Sequence, residues 1–478
     1  MSPVSLEFGL FCAVVIALYY RVWPSHRWAV LLLAGWFFYA TWHLFYVPLL
    51  IAISGLFYFC GRRIDEASTP IGARVALIGG VITSLAILVV FQYSHFFASA
   101  IVTDTFTRII VPIGISFYTF QGIGYLGDVF RKVIPPERDP RYFMTFIAFF
   151  PILTSGPIER GAHLIPQLRA ETRFDPVIAI SALRLILWGV FKKLVIADRL
   201  AIYVNAVYDQ PQAYSGAVLL IATLFYTVQI YADFSGYTDI ARGVARLFGI
   251  DLFENFRQPY FAMSIRDFWT RWHISLSTWI RELMFMPLSR TLLRRSGGRY
   301  SRAIQAVSNL IVMTLVGLWH GPSWTFVIWG ALHGVYMSVE SLLNWRVKLV
   351  KISTPRQQIE RVGRVILTLI LVMIAWVFFR AKSLADAGYI LTHWIAPSNG
   401  DLTQPFTGGL LPNGVEFALA IGLIGVLIIS DLIGPTLLER FGRLGWVIRW
   451  AVYYGFGMAI LFASLYGAGS AQFIYFQF

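Results

Sequence analysis

The residues best equipped for chemistry fall between positions 231 and 334. His320 closes an apolar run, residues 310–319, and is followed by Gly321 and Pro322. Proline disfavours helix at the residue before it, so a helix is expected to end about there and to leave an imidazole at its terminus. Gly321 lets a substrate or another backbone come close. An imidazole near its ordinary pKa takes a proton from a hydroxyl and returns one to a leaving group, which suits transfer of a group to an alcohol. The alternative for such a residue is a structural histidine bonded to a carbonyl.

The densest polar stretch precedes it. Asp233 and Asp239 are six apart in Tyr231-Ala-Asp-Phe-Ser-Gly-Tyr-Thr-Asp239. Ser235 and Gly236 between them suggest a turn or a helix start, where the carboxylates either cap backbone or take part in catalysis. Asn255 follows in Glu254-Asn-Phe-Arg-Gln-Pro-Tyr260, and then comes Asp267-Phe-Trp-Thr-Arg-Trp-His-Ile-Ser-Leu-Ser277. If that segment is helical, Asp267 and Arg271 pair at i,i+4 and serve as scaffold for His273. A charged aromatic helix of this kind also suits the membrane interface. His333, in Trp329-Gly-Ala-Leu-His-Gly334, reads as helix packing beside Gly330 and Gly334. His26, His43, His95, His163 and His393 lie near span ends or loops and carry no signal. There is no HExxH motif and no Walker A sequence, so neither a metal nor ATP is expected. Gln121-Gly-Ile-Gly-Tyr-Leu-Gly127 resembles a dinucleotide loop only weakly and reads as close helix packing.

These residues must be positioned by helices in a bilayer. The chain has 478 residues, 57% hydrophobic and 13% charged, against about 25% charged in ordinary soluble proteins. Uncharged apolar runs recur, as at 75–91, 365–379 and 450–468. They approach the roughly 20 residues a spanning helix needs, where a barrel would show shorter alternating segments. The net charge of +14 does not indicate nucleic acid, because the basic residues sit mostly at the ends of apolar runs. Anionic lipid headgroups are the expected neighbours. Cys12 and Cys60 lie in apolar runs and imply no disulfide framework.

Residues 6–20 read as a retained first span, 28–59 as a hairpin turning near 41–43, and 75–100 and 109–130 as single spans. Placing Arg21 and Arg27, Arg62 and Arg63, and Arg131 and Lys132 in the cytoplasm puts the N-terminus outside. Residues 290–302 and 346–364 read as basic loops, 398–413 as a loop without Lys or Arg, and Arg440, Arg443 and Arg449 as a third basic cluster. By alternation the 321–323 turn lies toward the outer side and the C-terminus outside. Residues 142–288 mix apolar runs with prolines and read as broken or re-entrant helices lining a cavity. No internal repeat is visible, which argues against a secondary transporter or flippase. A single membrane domain is expected over 1–478. A scaffold that only docks an enzyme would gain nothing from embedded histidines.

At these motifs the chain resembles the bacterial membrane-bound O-acyltransferases, in particular the alginate O-acetyltransferase membrane subunit type. The matching segments are Val111-Pro-Ile-Gly-Ile-Ser-Phe-Tyr118, Thr154-Ser-Gly-Pro157, 231–239, 254–260, 267–281, Leu318-Trp-His-Gly321, 329–334 and the terminal Phe473-Ile-Tyr-Phe-Gln-Phe478. The resemblance implies an all-α polytopic fold, a ring of roughly 10–14 transmembrane helices around a thinned centre. It implies catalysis by His320 with His273 as second histidine, no bound cofactor, and a cytoplasmic thioester donor, acetyl-CoA. The implied acceptor is a hydroxyl of an exported polysaccharide or of peptidoglycan, reached with a periplasmic partner of serine hydrolase-like (SGNH) fold. The implied location is the bacterial inner membrane. A branch that transfers D-alanine to teichoic acids is the alternative, and the 231–239 and 318–321 wording is closer to the alginate type. On this reading His273 polarises the thioester carbonyl or holds the acceptor, and Asn255 donates to the developing oxyanion. Asp267, Arg271, Asp233, Asp239 and Trp319 complete the site or its scaffold.

Overall fold

The computed structural model describes residues 1–98, 111–344, 354–397, 401–406, 411–433, 441–466 and 473–474. The fold is all-α; among the described residues the β-type pairing is an isolated bridge between Phe256 and Trp272. The chain forms two compact units. The first is built from Met1–Gly189 and Tyr237–Glu254, the second from Val190–Gly236 and Asn255–Ile474.

The first unit holds α1 (Leu6–Arg21), α2 (Arg27–Ala40), α3 (Val47–Glu66), α4 (Pro70–Ala98), α5 (Ile115–Phe130), α6 (Pro140–Ile147), α7 (Gly161–Arg169) and nearly all of α8 (Pro176–Phe191). The expected hairpin turn is present: α2 stops at Ala40, and the Thr41 hydroxyl donates to the Phe38 carbonyl at 2.7 Å. Residues 99 and 100 of the expected 75–100 span, and 109 and 110 of the next, lie outside the described residues. That next helix starts later than expected, at Ile115. Gly114 before it is left-handed, φ 74°, and a Cβ there would collide with the Leu153 carbonyl. Gly122 lies against the Phe57 ring, as close packing requires. The expected broken region is here. α6 and α7 are 8 and 9 residues long, Pro166 sits inside α7, and residues 148–156 between them form turns. This irregular backbone is covered by protein: Phe149, Phe150, Ile152, Leu153, Thr154 and Ser155 are all buried.

The second unit begins with a π-helical stretch, Lys192–Ala197, then α9 (Asp198–Asp209) and the first part of α10 (Ala217–Leu247). It continues with α11 (Ile265–Trp269), α12 (Ile274–Ile280), α13 (Met286–Arg295), α14 (Ser301–His320), α15 (Trp324–Leu342), α16 (Pro355–Arg380), α17 (Leu384–His393), α18 (Asn413–Ile433) and α19 (Trp446–Tyr466). The anticipated turn at Ser235 and Gly236 is absent; α10 runs through both as one 31-residue helix. Its most apolar window is 78% buried, so packing outweighs the ~1 kcal/mol that an interior glycine costs. Two expected basic loops are partly helical as well. Arg290, Arg294 and Arg295 lie on α13, and Arg356, Arg361 and Arg364 on α16, which starts with a Thr354–Gln357 capping box. Residues 346–353, 398–400, 407–410, Arg440 and 475–478 lie outside the described residues.

Seven helices among the described residues are long and apolar enough to cross a membrane: Leu44–Glu66, Pro70–Gln92, Ala217–Leu247, Ser301–His320, Pro355–Arg380, Asn413–Ile433 and Trp446–Ser464. Their outer faces are apolar. Ile71, Val75, Ile78, Ile82, Leu85 and Val89 form an exposed stripe along α4. Leu6, Leu10, Val14 and Leu18 do the same at i,i+4 spacing on α1. Water would penalise such stripes, whereas lipid chains solvate them. The chain is a multi-pass membrane protein.

Candidate active site

His320 is the last residue of α14. Gly321 follows, its N–H bonded to the Leu318 carbonyl at 3.2 Å, and Ser323 caps α15 by accepting from Thr325 N–H at 3.3 Å. The helix therefore ends where Pro322 required. The glycine serves a different neighbour from the one expected: a Cβ on Gly321 would sit 2.8 Å from the Phe326 ring, so a protein side chain occupies that approach.

The two helices of this hairpin touch backbone to backbone. A Cβ on Gly317 would collide with the Phe326 carbonyl, and one on Gly330 with the Met313 carbonyl. A Cβ on Gly334 would lie 2.9 Å from Leu310 Cα. This approach brings Trp329 and His333, i and i+4 on α15, beside the end of α14. The Trp329 ring stands perpendicular to His320, centroids 5.0 Å apart, and lies 5.1 Å from His333. Trp319 lies 4.5 Å from His320 and Phe379 of α16 5.1 Å from it. Trp376, one turn before Phe379, stacks on Trp329 at 5.9 Å and 18°. His320 is 3% exposed and His333 is fully buried.

His273 comes from the break between α11 and α12. The single helix considered for 267–277 is two short ones, because His273 itself is left-handed at φ 40° and ψ 57°. A non-glycine residue there costs roughly 1–2 kcal/mol, and the neighbouring strand-like segment offsets it. Arg257 N–H donates to the Arg271 carbonyl at 2.9 Å, and Ile274 N–H to the Asn255 carbonyl at 3.0 Å. Ser275 N–H donates to Asn255 Oδ1 at 3.1 Å. Asn255 thus caps α12 from 19 and 20 positions upstream, with both its oxygens. That bond also fixes the amide orientation, since Oδ1 must accept. Nδ2 then points elsewhere, is buried, and has no acceptor among the described residues. His273 is 1% exposed and lies 4.8 Å from Phe234. Trp272, next to His273 in the chain, lies 5.1 Å from Trp376, which stacks on the Trp329 ring that stands against His320.

Asp267 behaves as the scaffold its spacing suggested. It binds Arg271 Nε at 2.8 Å and accepts from Met263 N–H at 3.0 Å, tying the start of α11 to its end. Asp233 lies elsewhere in this unit. Lys193 Nζ donates to its Oδ1 at 2.7 Å and sits 2.8 Å from Asp198, while Ile474 N–H donates to Asp233 Oδ2 at 2.8 Å. Lys192 donates to Ser235 at 2.8 Å. Asp239 belongs to the first unit, 4.0 Å from Arg242.

Sequence reasoning missed Lys192 and Lys193, although paired lysines inside an apolar stretch are a signal in a membrane protein. It also missed Trp329, Trp376 and Phe379, which look like ordinary core aromatics in sequence. His163 was set aside, yet its Nδ1 lies 2.7 Å from the buried Glu159, and its ring stacks on Phe253 at 4.2 Å.

The second unit thus buries an imidazole at a helix end, a second imidazole and an amide N–H₂. A group transfer to a hydroxyl needs those parts. Residues 138–381 match the model of the MBOAT, membrane-bound O-acyltransferase family. A protein of Azotobacter vinelandii described as "Probable alginate O-acetylase AlgI" is 38% identical over 386 residues, covering 78% of this chain and 74% of that protein. A Helicobacter pylori "Peptidoglycan O-acetyltransferase" is 33% identical over 393 residues, 76% of this chain and 72% of the other. A Bacillus subtilis "Teichoic acid D-alanyltransferase" is 28% identical over 241 residues, 49% of this chain and 60% of the other. The molecule is thus an acyl-transferring enzyme built into a membrane. The chain belongs to the membrane-bound O-acyltransferase family, and its reaction is O-acyl transfer.

Proposed function

We propose that the protein moves an acetyl group from cytoplasmic acetyl-CoA to a hydroxyl of an exported polysaccharide such as alginate, or of peptidoglycan, in the bacterial inner membrane. A periplasmic partner of serine hydrolase-like fold receives the acetyl group or passes it on. The observation that carries the reading is His320, a buried imidazole at a helix terminus, whose aromatic surroundings reach the His273 segment through Trp376 and Trp272. The acetylases among the relatives support acetyl over D-alanyl, since they align over a larger share of this chain.

The chemistry follows from the groups present. His320 takes the proton of the acceptor hydroxyl as its oxygen attacks the thioester carbonyl. The carbonyl π bond opens to an oxyanion, toward which Asn255 Nδ2 donates. The oxyanion then collapses, the C–S bond breaks, and His320 returns its proton to the thiolate. An ester and a free thiol result. His273 holds the acceptor or polarises the carbonyl. Asp267 and Arg271 keep its segment in place, and Trp319 packs against His320.

The test uses purified protein in nanodiscs with radiolabelled acetyl-CoA and mannuronate oligosaccharides. Wild-type protein should transfer label, and His320→Ala should lower the rate by about 10² to 10⁴ while keeping its melting temperature. Wild-type rates in a folded His320→Ala protein end the proposal.

A further inference from the structure

The enclosure of His320 contains buried donors that the scheme above leaves unused. Trp329 and Trp376 are 1% and 0% exposed, stack nearly parallel, and both touch Phe379, at 5.1 and 5.3 Å. The indole Nε1–H of each has no acceptor among the described residues. His333 adds a third. Trp269 donates its indole N–H to His333 Nδ1 at 3.3 Å, so the ring proton belongs on Nε2. That nitrogen also has no acceptor among the described residues.

Buried N–H groups are nearly always hydrogen-bonded. Indole is a donor only, so no proton shift relieves it. These rings belong to one contiguous cluster, and Trp329 joins His333 to His320 through edge-to-face contacts at 5.1 and 5.0 Å. An acceptor that arrives with the substrate accounts for all three.

Resting on the acetyl-transfer reading, we propose that Trp329, Trp376 and His333 form the acyl subsite of this enzyme. Their N–H groups bind the oxygen of a short acyl chain bonded as a thioester, and the aromatic walls set the chain length. Neutral donors suit this task. They bind a carbonyl oxygen in the ground state and bind it more strongly as it gains charge. The rings of Trp329, Trp376, Phe379 and Phe326 pack against one another beside these donors, so each further methylene of a bound chain would have to displace packed rings.

The test compares Trp329→Phe, Trp376→Phe and His333→Phe, which keep a ring and remove the N–H, with Trp376→Leu, which opens space. Thiol release is followed with acetyl-CoA and butyryl-CoA, using mannuronate oligosaccharides as acceptor. The Phe variants should lose about 10²-fold in kcat, with KM for acetyl-CoA raised only a fewfold because ground-state binding is the weaker part of the interaction. Trp376→Leu should raise the butyryl-to-acetyl ratio of kcat/KM about tenfold. Wild-type kcat in the three Phe variants, with an unchanged ratio in Trp376→Leu, overturns the subsite. A measurement on wild-type protein covers variants that do not fold. Acetonyl-CoA, which keeps a carbonyl, should bind about tenfold tighter than ethyl-CoA, which has none. Equal binding overturns it too. Wild-type protein that releases no thiol removes the acetyl-transfer reading and the subsite with it. Turnover by wild-type protein that the Phe variants match removes the subsite alone.

Discussion

Lys193 and Trp329 are both about 1% exposed in the second unit, and their surroundings treat them differently. Lys193 lies between Asp198 and Asp233, with Phe473 over its ammonium at 4.6 Å and the Ile474 N–H on the far oxygen of Asp233. Charge there is answered by charge from within the chain. Trp329 and Trp376 lie among rings, and their N–H groups meet no acceptor among the described residues. The first region is built as an internal tie that holds π-helix, α10 and the chain end together. The second is built to be completed by something that arrives. On the proposed mechanism the contrast shows why polarity alone does not locate a site: the ion-pair cluster carries more charge, and the proposed chemistry lies in the aromatic enclosure.

The contrast breaks most visibly if His320→Ala and Lys193→Met fail in the same way. His320→Ala should lose activity by the factor given above with melting in detergent unchanged. Lys193→Met strands the buried Asp233 and the partly buried Asp198. It should destabilise by about 3–5 kcal/mol, seen as a lowered melting temperature or loss of a monodisperse gel-filtration peak. Replacing Asp198 and Asp233 with Leu in the same chain should recover much of that loss. A Lys193→Met protein that melts normally yet has no activity would move the cluster into the catalytic machinery.

Next in size is Gly317→Ala. The added methyl meets a backbone carbonyl, so α14 and α15 must part, at about 1–3 kcal/mol. Activity should fall with it, because Trp329 moves relative to His320; paired stability and kcat measurements check this. The smallest effect expected is Asp267→Asn. Its pair with Arg271 is 19–23% exposed and is worth about 1 kcal/mol or less. A small melting shift with kcat held within a fewfold supports a scaffold role, and loss of turnover at full stability would place Asp267 in the site.

Much of the fold was legible because lipid imposes a simple rule: long apolar runs bounded by basic residues become helices. The hairpin turn at 41–43, the broken helices around Pro166 and the helix end at His320 all follow from local sequence. Ser235 and Gly236 misled because local propensity was outweighed by the burial of α10, a quantity that belongs to the whole unit. In the site, the pairing of Asp267 with Arg271 was legible from spacing alone. The left-handed turn at His273 was not, since it depends on Asn255 reaching across from another segment. Nor was the Trp329–Trp376 stack, which joins residues 47 positions apart on two helices.

Asp233 and Phe234 are neighbours in sequence, yet one binds Lys193 and the other lies against His273. Successive helical residues point about 100° apart, so the two faces of α10 are locked in phase. Deleting or inserting one residue just upstream would rotate the carboxylate away from its lysine and the ring away from its histidine together. This stretch of α10 therefore has no slack in its residue count.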